Sequence, residues 1–299
     1  MVMFLDEARV AELLSWDALI PAMERALAEL SQGRVLQPVR NMLTIEEGRR
    51  YLGIMPAVAE TAMGLKLVSF YPGNAGTAVP THLAMILLFR ADTGEPLAVM
   101  DGRLVTEMRT AAVSAAATAY LAPPDARVLA VLGSGVQAKA HLEALTHWHR
   151  YDEIRVWSRT PEHARHFAEA HGAIATDAES AVRGADVVVT ATAALEPVLS
   201  GAWLKPGAHV NAVGAPRPSW RELDDAAMAN LVVADSREAV LKESGDVILS
   251  GAPIYAEIGE IFAGLKPAPP DGAMTIFKSV GLAIEDVAAA QLVYEAVQS

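Results

Sequence analysis

A glycine turn, Gly133-Ser134-Gly135-Val136-Gln137-Ala138, follows the apolar run 128–132 and leads into a helical stretch over 139–147. Gly133 permits a tight turn, Gly135 lets backbone approach a pyrophosphate, and Ala138 keeps helix close to strand. The helix start then offers unpaired N–H groups to phosphate charge. Strand, turn and helix in that order point to dinucleotide binding rather than a plain packed turn. At the end of the next strand, where an NAD-preferring site carries Asp or Glu, the chain reads Trp157-Ser158-Arg159-Thr160. Two hydroxyls and a guanidinium suit a 2′-phosphate, so NADP(H) is favoured and NAD(H) use stays open. The plain alternative makes Arg159 a solvated residue opening a helix.

Three cations stand among apolar or small neighbours: Arg40 after Gln-Pro-Val, Lys66 inside Gly-Leu-Lys-Leu-Val-Ser, and Arg109 before Thr-Ala-Ala. An inward cation needs an anionic partner or a lowered pKa. In a dinucleotide enzyme a substrate carboxylate is the natural partner, gripped in two places by a planar Arg fork. Each alone also reads as a surface or salt-bridged residue. The rest of the chain offers little competing chemistry. Its eight His form no metal-binding pattern such as HExxH, and His141, His147 and His149 read as a solvated helix and its end. Ser134 lacks the spacing of a nucleophile elbow, and the absence of Cys removes thiolate, disulfide and iron–sulfur chemistry.

These residues need elements to hold them. With 299 residues, 52 % hydrophobic and 20 % charged, the chain is globular and long enough for two domains. Lys and Arg total 24 against 36 Asp and Glu, and the net charge of −12 disfavours nucleic-acid backbones without forbidding a local cationic pocket. The acidic N-terminal segment is unlike a signal peptide, and the Ala-rich stretch 111–122 is shorter than the roughly 20 residues of a membrane span. A soluble, cytoplasmic protein is expected. Helical periodicity covers 16–30, with Ser15 as cap and Gly33 as stop. Short β-rich runs at 64–71, 79–89 and 96–101 follow, the last after a turn at 92–95. A small-residue helix over 105–121 ends at Ala122-Pro123-Pro124. Beyond it, apolar runs at 128–132, 154–157, 186–190, 209–213 and 231–235 alternate with helical stretches, the pattern of a buried parallel sheet. A final helix over 282–297, apolar on one face, is expected to return to the first domain. The expected fold class is α/β: a Rossmann-like doubly wound parallel sheet over 122–281, binding NAD(P), and a strand-rich α+β domain of 1–121 plus 282–299.

Several segments carry a wider resemblance. Residues 64–68, Pro80-Thr81-His82, 98–102, 109–115 and the glycine turn resemble the ornithine cyclodeaminase/mu-crystallin family. Residues 212–225, 242–251 and 277–281 look most like its ketimine reductase branch. The resemblance implies a homodimer whose first domain mediates dimerisation and shapes the substrate pocket. It implies that Arg40 and Arg109 hold a substrate carboxylate and that Lys66 lies beside the reacting nitrogen. Thr81 and His82 match pocket positions, and Arg109, Thr110 and Ser279 match positions near the phosphates and nicotinamide. Together with Ser134, Val136, Gln137, Thr192 and Val213, these complete the expected cofactor set. No metal is expected.

One departure matters. Cyclodeaminases and alanine dehydrogenases of the family resemble one another in an acidic residue at the position matching Ala215, where it handles the substrate amine. Ala215 can neither accept a proton nor bind an ammonium. Reducing a ready-made imine needs less: hydride to carbon and one proton to nitrogen. The expected reaction is therefore NAD(P)H-dependent reduction of a cyclic ketimine carboxylate, Δ1-pyrroline-2-carboxylate or Δ1-piperideine-2-carboxylate, to the L-amino acid. Lys66 is the expected proton donor and His82 the reserve donor. The rivals are an amino-acid dehydrogenase or open-chain imine reductase, an ornithine cyclodeaminase, and a non-catalytic NADPH-dependent binder of small molecules.

Overall fold

The chain opens with a short strand, β1 (Met3–Leu5), and helix α1 (Glu7–Leu13), whose first turn is capped by the Asp6 carboxylate accepting from the Arg9 amide at 2.9 Å. Helix α2 (Trp16–Ser31) buries Leu19, Ile20, Met23, Ala26 and Leu27, the stripe its periodicity predicts. Ser15 occupies its N-cap without a side-chain cap bond, and Gly33 follows it at φ +73°. Strands β2 (Asn41–Glu46), β3 (Arg50–Val58), β4 (Met63–Phe70), β5 (His82–Phe89) and β6 (Pro96–Asp101) then build a sheet in the order β1-β6-β5-β4-β3-β2. Neighbours are antiparallel except β1 and β6, which run parallel.

Helix α3 (Arg103–Leu121) follows, and then an eight-stranded parallel sheet. Its members are β7 (Val128–Leu132), β8 (Glu153–Trp157), β9 (Ile174–Ala175), β10 (Val187–Thr190), β11 (His209–Ala212), β12 (Leu231–Ala234), β13 (Ile254–Glu257) and β14 (Thr275–Lys278). The order is β13-β12-β14-β11-β10-β7-β8-β9. From β7 the sheet grows one way through β8 and the other through β10, the doubly wound arrangement in which ligands bind where the order reverses. Helices α4 (Val136–Trp148), α5 (Pro161–His171), α6 (Ala178–Val182), α7 (Asp225–Met228), α8 (Arg237–Glu243), α9 (Gly245–Ser250) and α10 (Ile258–Phe262) lie among the strands, and α11 (Ala283–Gln298) closes the chain.

This computed structural model describes residues 2–298 and divides into two units, one of residues up to Arg109 with those from Gly281 on, the other Thr110–Val280. The division falls inside α3, twelve residues before the expected boundary after Leu121. The helix continues through it because its two ends serve different partners. Arg103 bonds Glu7 in the first unit, while Ser114 and Thr118 bond His141 and Asn211 in the second. The chain is an α/β protein with a Rossmann-like sheet and a second, strand-rich unit.

Within the first unit, α11 covers one face of the sheet. Met55, Lys66 and Ile86 sit side by side across β3, β4 and β5 on that face, all buried. The opposite face leaves Leu43, Leu83 and Met85 between 41 % and 46 % exposed. The helix is not apolar on one side as expected: its buried positions include Glu285 and Asp286 beside Ile284, Val287 and Val293. His141 is likewise not solvated but wholly buried, donating from Nδ1 to the Gln137 carbonyl and accepting from Ser114 Oγ at Nε2. Burial drives its pKa down to about 4. Among the described residues no helix is long and apolar enough to cross a membrane.

Candidate active site

Strand β4 points even-numbered side chains at α11, so Lys66 enters the interior and is only 2 % exposed. A lysine there needs an anion. Asp286, from the first turns of α11, supplies it: Lys66 Nζ lies 2.6 Å from Oδ2. The other Asp286 oxygen accepts from Arg109 Nε at 3.0 Å, and Glu285 accepts from Arg109 Nη1 at 2.5 Å. Arg109 is 4 % exposed. The cations therefore do not await an anion from outside alone, as the sequence reading had it, because two carboxylates of the chain already neutralise part of their charge.

Gly281 makes the approach possible. A Cβ there would stand 2.5 Å from Arg109 Nη1, and its φ of +79° suits glycine. Its carbonyl accepts from Arg40 Nη2 at 2.7 Å, and Gln37 Oε1 accepts the Ile284 amide at 2.6 Å. Thr106, one turn before Arg109 on α3, accepts from Lys66 Nζ at 3.4 Å. Arg40, Lys66 and Arg109 are thus gathered around the start of α11.

Burial pulls the Lys66 pKa down to about 8, with Arg109 and Arg40 pushing the same way and Asp286 opposing. At neutral pH the ammonium is charged yet close to giving up its proton. Burial also works against charge on Arg109, but Asp286 and Glu285 overcome it and hold its pKa above the usual arginine value.

Thr81 and His82 occupy a different place. His82 begins β5 on the face Lys66 shares, paired with Phe70 four residues along the strand, and it is exposed. Its ring packs on Phe70 at 4.3 Å, and Thr81 Oγ1 lies 3.3 Å from its Nδ1. His82 therefore lies outside the buried core.

The second unit presents the glycine turn. Gly133, at φ +135°, lies so close to β10 that a Cβ would meet the Ala191 carbonyl at 2.6 Å. Gly135 is the opposite case, with open space where a Cβ would project. At the start of α4 the Gln137 Oε1 is buried and lacks a hydrogen-bond partner among the described residues. An approachable backbone and a helix start with its free N–H groups are what a pyrophosphate requires, so the turn fits a dinucleotide. Ser134 Oγ bonds Ser158 Oγ at 2.9 Å, tying the turn to the end of β8, while Val136, Arg159 and Thr160 are exposed.

At the carboxyl ends of the central strands lies a second charged cluster. Glu222 is fully buried and accepts from Thr190 Oγ1, from the amide and hydroxyl of Thr192, and from the Gly214 amide. Burial raises its pKa, and Asp246 adds to that. Lys278 pairs with Asp246 at 2.9 Å and donates to the Gly214 carbonyl. Held at both ends of its residue, Gly214 fixes the following Ala215 at φ +53°, a left-handed conformation that alanine rarely adopts. Val213 is tied to β10 through Thr190, and Asp235 accepts from Ser279 Oγ. Thr110 is buried at the start of the unit.

Glu285, Asp286 and Glu222 were not singled out by the sequence reading. The signal for the first two was present: two adjacent acids in the first turn of a helix whose other polar residues, Gln291, Tyr294, Glu295 and Gln298, all lie in its second half. Among the described residues no three His, Asp or Glu side chains gather as a metal site would need.

A description of the ornithine cyclodeaminase/mu-crystallin family matches residues 1–299. The ketimine reductase mu-crystallin of Mus musculus is 52 % identical over 292 residues, covering 95 % of this chain and 93 % of that one. The Thermococcus litoralis Δ1-pyrroline-2-carboxylate reductase, solved with NADH and L-proline, superposes with TM-score 0.94 at 36 % identity, covering 99 % and 98 % of the two chains. An archaeal alanine dehydrogenase dimer with bound NAD gives 0.93 at 35 %, over 99 % and 96 %.

Proposed function

The chain belongs to the ornithine cyclodeaminase/mu-crystallin family, and we propose that within it the protein is an NAD(P)H-dependent ketimine reductase converting a cyclic imino acid to the L-amino acid. The observation that carries this reading is the buried Lys66 ammonium, paired with Asp286 and gathered with Arg40 and Arg109 at the start of α11. Its identity with a ketimine reductase and its likeness to a pyrroline-carboxylate reductase support the choice of reaction.

Arg40 and Arg109 hold the substrate carboxylate. Since the imine carbon is bonded to that carboxylate, fixing one positions the other, and positioning supplies much of the rate. Lys66, lowered toward neutrality, gives its proton to the imine nitrogen and is re-protonated from solvent through the polar groups around it. Asp286 keeps the lysine charged until that step. Thr81 and the exposed His82 belong to the pocket rim, where His82 is the reserve donor. Gly133, Ser134, Gly135, Val136 and Gln137 hold the pyrophosphate; Ser158, Arg159 and Thr160 hold the adenosine end; Thr110, Thr192, Val213 and Ser279 line the nicotinamide end. When bound, the dihydronicotinamide supplies the hydride. Ala215, fully buried, offers no acid for the amine chemistry of a deaminase.

The first unit serves as substrate domain and as the interface of a homodimer. Its uncovered sheet face, with Leu43, Leu83 and Met85 in the open, is the apolar surface such an interface needs, and the archaeal relative is a dimer. A cytoplasmic location completes the proposal.

The test is NADPH, then NADH, oxidation with Δ1-piperideine-2-carboxylate and Δ1-pyrroline-2-carboxylate against pyruvate with ammonia or methylamine. Cyclic imines are expected to turn over at least tenfold better in kcat/KM. Turnover confined to pyruvate with ammonia makes the protein an amino-acid dehydrogenase, as in the archaeal relative, and ammonia released from ornithine makes it a cyclodeaminase. Full activity in both Lys66→Met and Arg40→Ala overturns the residue roles.

A further inference from the structure

Glu222 is fully buried and takes no part in the proposed proton or hydride transfer, yet its carboxylate carries four hydrogen bonds. Oε1 accepts from the Thr192 amide and hydroxyl, both at 2.6 Å, and Oε2 accepts from Thr190 Oγ1 and the Gly214 amide, both at 2.8 Å. Thr190 ends β10 and Thr192 follows it, while Gly214 follows β11. One side chain therefore ties together the outlets of two neighbouring strands. The fit is close: a Cβ on Gly214 would stand 2.4 Å from Glu222 Oε1 and 2.3 Å from the Thr192 carbonyl oxygen.

The carboxylate is itself aimed from behind. The Glu222 amide donates to Asp246 Oδ1 at 2.8 Å, and the Glu222 carbonyl accepts from the Val198 and Leu199 amides at 2.8 and 2.9 Å. Lys278 pairs with the other Asp246 oxygen at 2.9 Å and donates to the Gly214 carbonyl. The Thr192 and Gly214 amides can only donate, one to each oxygen of Glu222, so a proton on either oxygen would compete with an N–H. That arrangement calls for the ionised form, which Lys278 favours while burial and Asp246 oppose it. The tied segment also reaches the glycine turn. The Ala191 amide donates to the Leu132 carbonyl at 2.9 Å, and the Ala191 carbonyl is the atom that a Cβ on Gly133 would meet. Here, between β7 and β10, the strand order reverses, which is where a doubly wound sheet takes its ligand.

We propose that Glu222 is a positioning residue for the nicotinamide half of the cofactor, acting through Thr192 and Gly214. This rests on the reading that gives Thr192 and Val213 to that end. The four bonds set the loop after β10 and the loop after β11 at a fixed separation before a ligand arrives, and they hold Gly214 so that Ala215 takes its left-handed conformation. An amide in place of the carboxylate keeps one oxygen and turns an NH2 toward the other pair of donors. Either the Thr192 or the Gly214 amide then faces a second donor in a dry interior, which costs more than the lost bond alone. Ser158, Arg159 and Thr160, proposed for the adenosine end, follow β8 on the far side of β7 from β10. The two halves of the cofactor therefore answer differently to a change at Glu222.

The experiment compares Glu222→Gln with wild type by calorimetric binding of NADPH and of adenosine 2′,5′-bisphosphate, which carries the adenosine end alone; NADH and ADP take their places if wild type binds only NADH. The dinucleotide is expected to bind about tenfold more weakly to the variant, the cost of a buried hydrogen bond to a charged group, and the adenosine fragment to stay within about twofold of wild type. In the protein without cofactor, amide exchange over 190–194 and 213–215 is expected to quicken while that of 128–132 is kept. A merely structural role would weaken both ligands alike and quicken all three segments. Equal loss on the two ligands, unaltered dinucleotide affinity, or unaltered exchange over 190–194 in a folded variant overturns the proposal. If Glu222→Gln does not fold, Thr190→Val decides it, because it removes one of the four donors and keeps the side-chain shape. About threefold weaker dinucleotide binding with the fragment unaffected supports the proposal, and no difference between the ligands overturns it. Wild type that binds neither NADPH nor NADH marks the failure of the dinucleotide reading, whereas equal loss on the two ligands with wild-type binding intact marks the failure of this proposal alone.

Discussion

The molecule holds two buried charge clusters, and they are built to opposite ends. Around the start of α11, side chains of opposite charge hold one another: Lys66 and Arg109 with Asp286, and Arg109 with Glu285. At the carboxyl ends of the parallel strands the charges are spent largely on the backbone. Glu222 takes the amides of Thr192 and Gly214, Asp246 those of Glu222 and Leu223, and Lys278 the carbonyl of Gly214. A charge committed to main-chain groups fixes a loop. A charge balanced only by other side chains can change protonation state or take a new partner with the backbone intact, which a working site requires.

That contrast breaks most sharply if the two buried lysines are exchanged for methionine. Lys278→Met leaves Asp246 without its partner and frees the Gly214 carbonyl, so the strained Ala215 loop relaxes. Removing one member of a buried pair costs about 3–5 kcal/mol. The expected result is a large drop in denaturant midpoint together with weakened NADPH affinity, read by chemical unfolding and cofactor fluorescence. Lys66→Met is expected to lose a factor of about 10²–10⁴ in kcat, the usual contribution of a positioned proton donor, with NADPH affinity kept. Equal loss of NADPH affinity in both variants would show that the clusters do not differ as described.

The two regions also differed in how far they could be read from sequence. In the second unit β7 coincides with its apolar run, and β8, β10, β11 and β12 agree within a residue at either end. Strands buried on both faces are continuous apolar runs, and glycines punctuate them. Strand β14 was invisible, although it lies in the middle of the sheet, because its four residues Thr-Ile-Phe-Lys begin and end on polar side chains. In the first unit β2 and β3 were missed. β2 is exposed along nearly its whole length, and β3 carries Pro56, which lies between the start of β2 opposite Ile54 and the isolated bridge of Leu36 to Val58. The cations were legible as misfits in apolar runs. Their carboxylates were not, because a periodicity reading takes acids for surface, and Asp286 meets Arg109 from 177 residues away.

A smaller effect separates the two units by pH. His141 and His209 are buried in the second unit, and burial takes each pKa down to about 4. Their folded pKa values lie below the unfolded value near 6.5, so the unfolded chain binds more protons as pH falls. The stabilisation from keeping them neutral is present above pH 6.5 and is lost progressively between 6.5 and 4. Each contributes on the order of 3 kcal/mol at most. The second unit should therefore lose protection against amide exchange first on acidification. His141→Gln is expected to flatten that dependence while leaving the Lys66 limb of the activity profile near pH 8 in place. Equal loss of protection in both units from pH 6.5 to 4 would contradict the assignment.

The smallest expected effect concerns the adenosine end of the cofactor. Arg159 and Thr160 are exposed, and Ser158 is bound to Ser134 rather than to a charged group. A 2′-phosphate here would meet one guanidinium in solvent, where an ion pair is worth about 1 kcal/mol and is weakened by salt. Arg159→Ala is accordingly expected to raise KM for NADPH by about fivefold and to leave KM for NADH unchanged. The gap between the cofactors should narrow in the wild type as salt is raised. A change that falls equally on NADPH and NADH would mean that Arg159 shapes the turn rather than reading the phosphate. No other residue at the end of β8 carries a charge of either sign: the four are Trp157, Ser158, Arg159 and Thr160. The proposed reading of a 2′-phosphate at this end thus has a single exposed cation behind it, whereas three cations and two buried acids gather at the proposed carboxylate site.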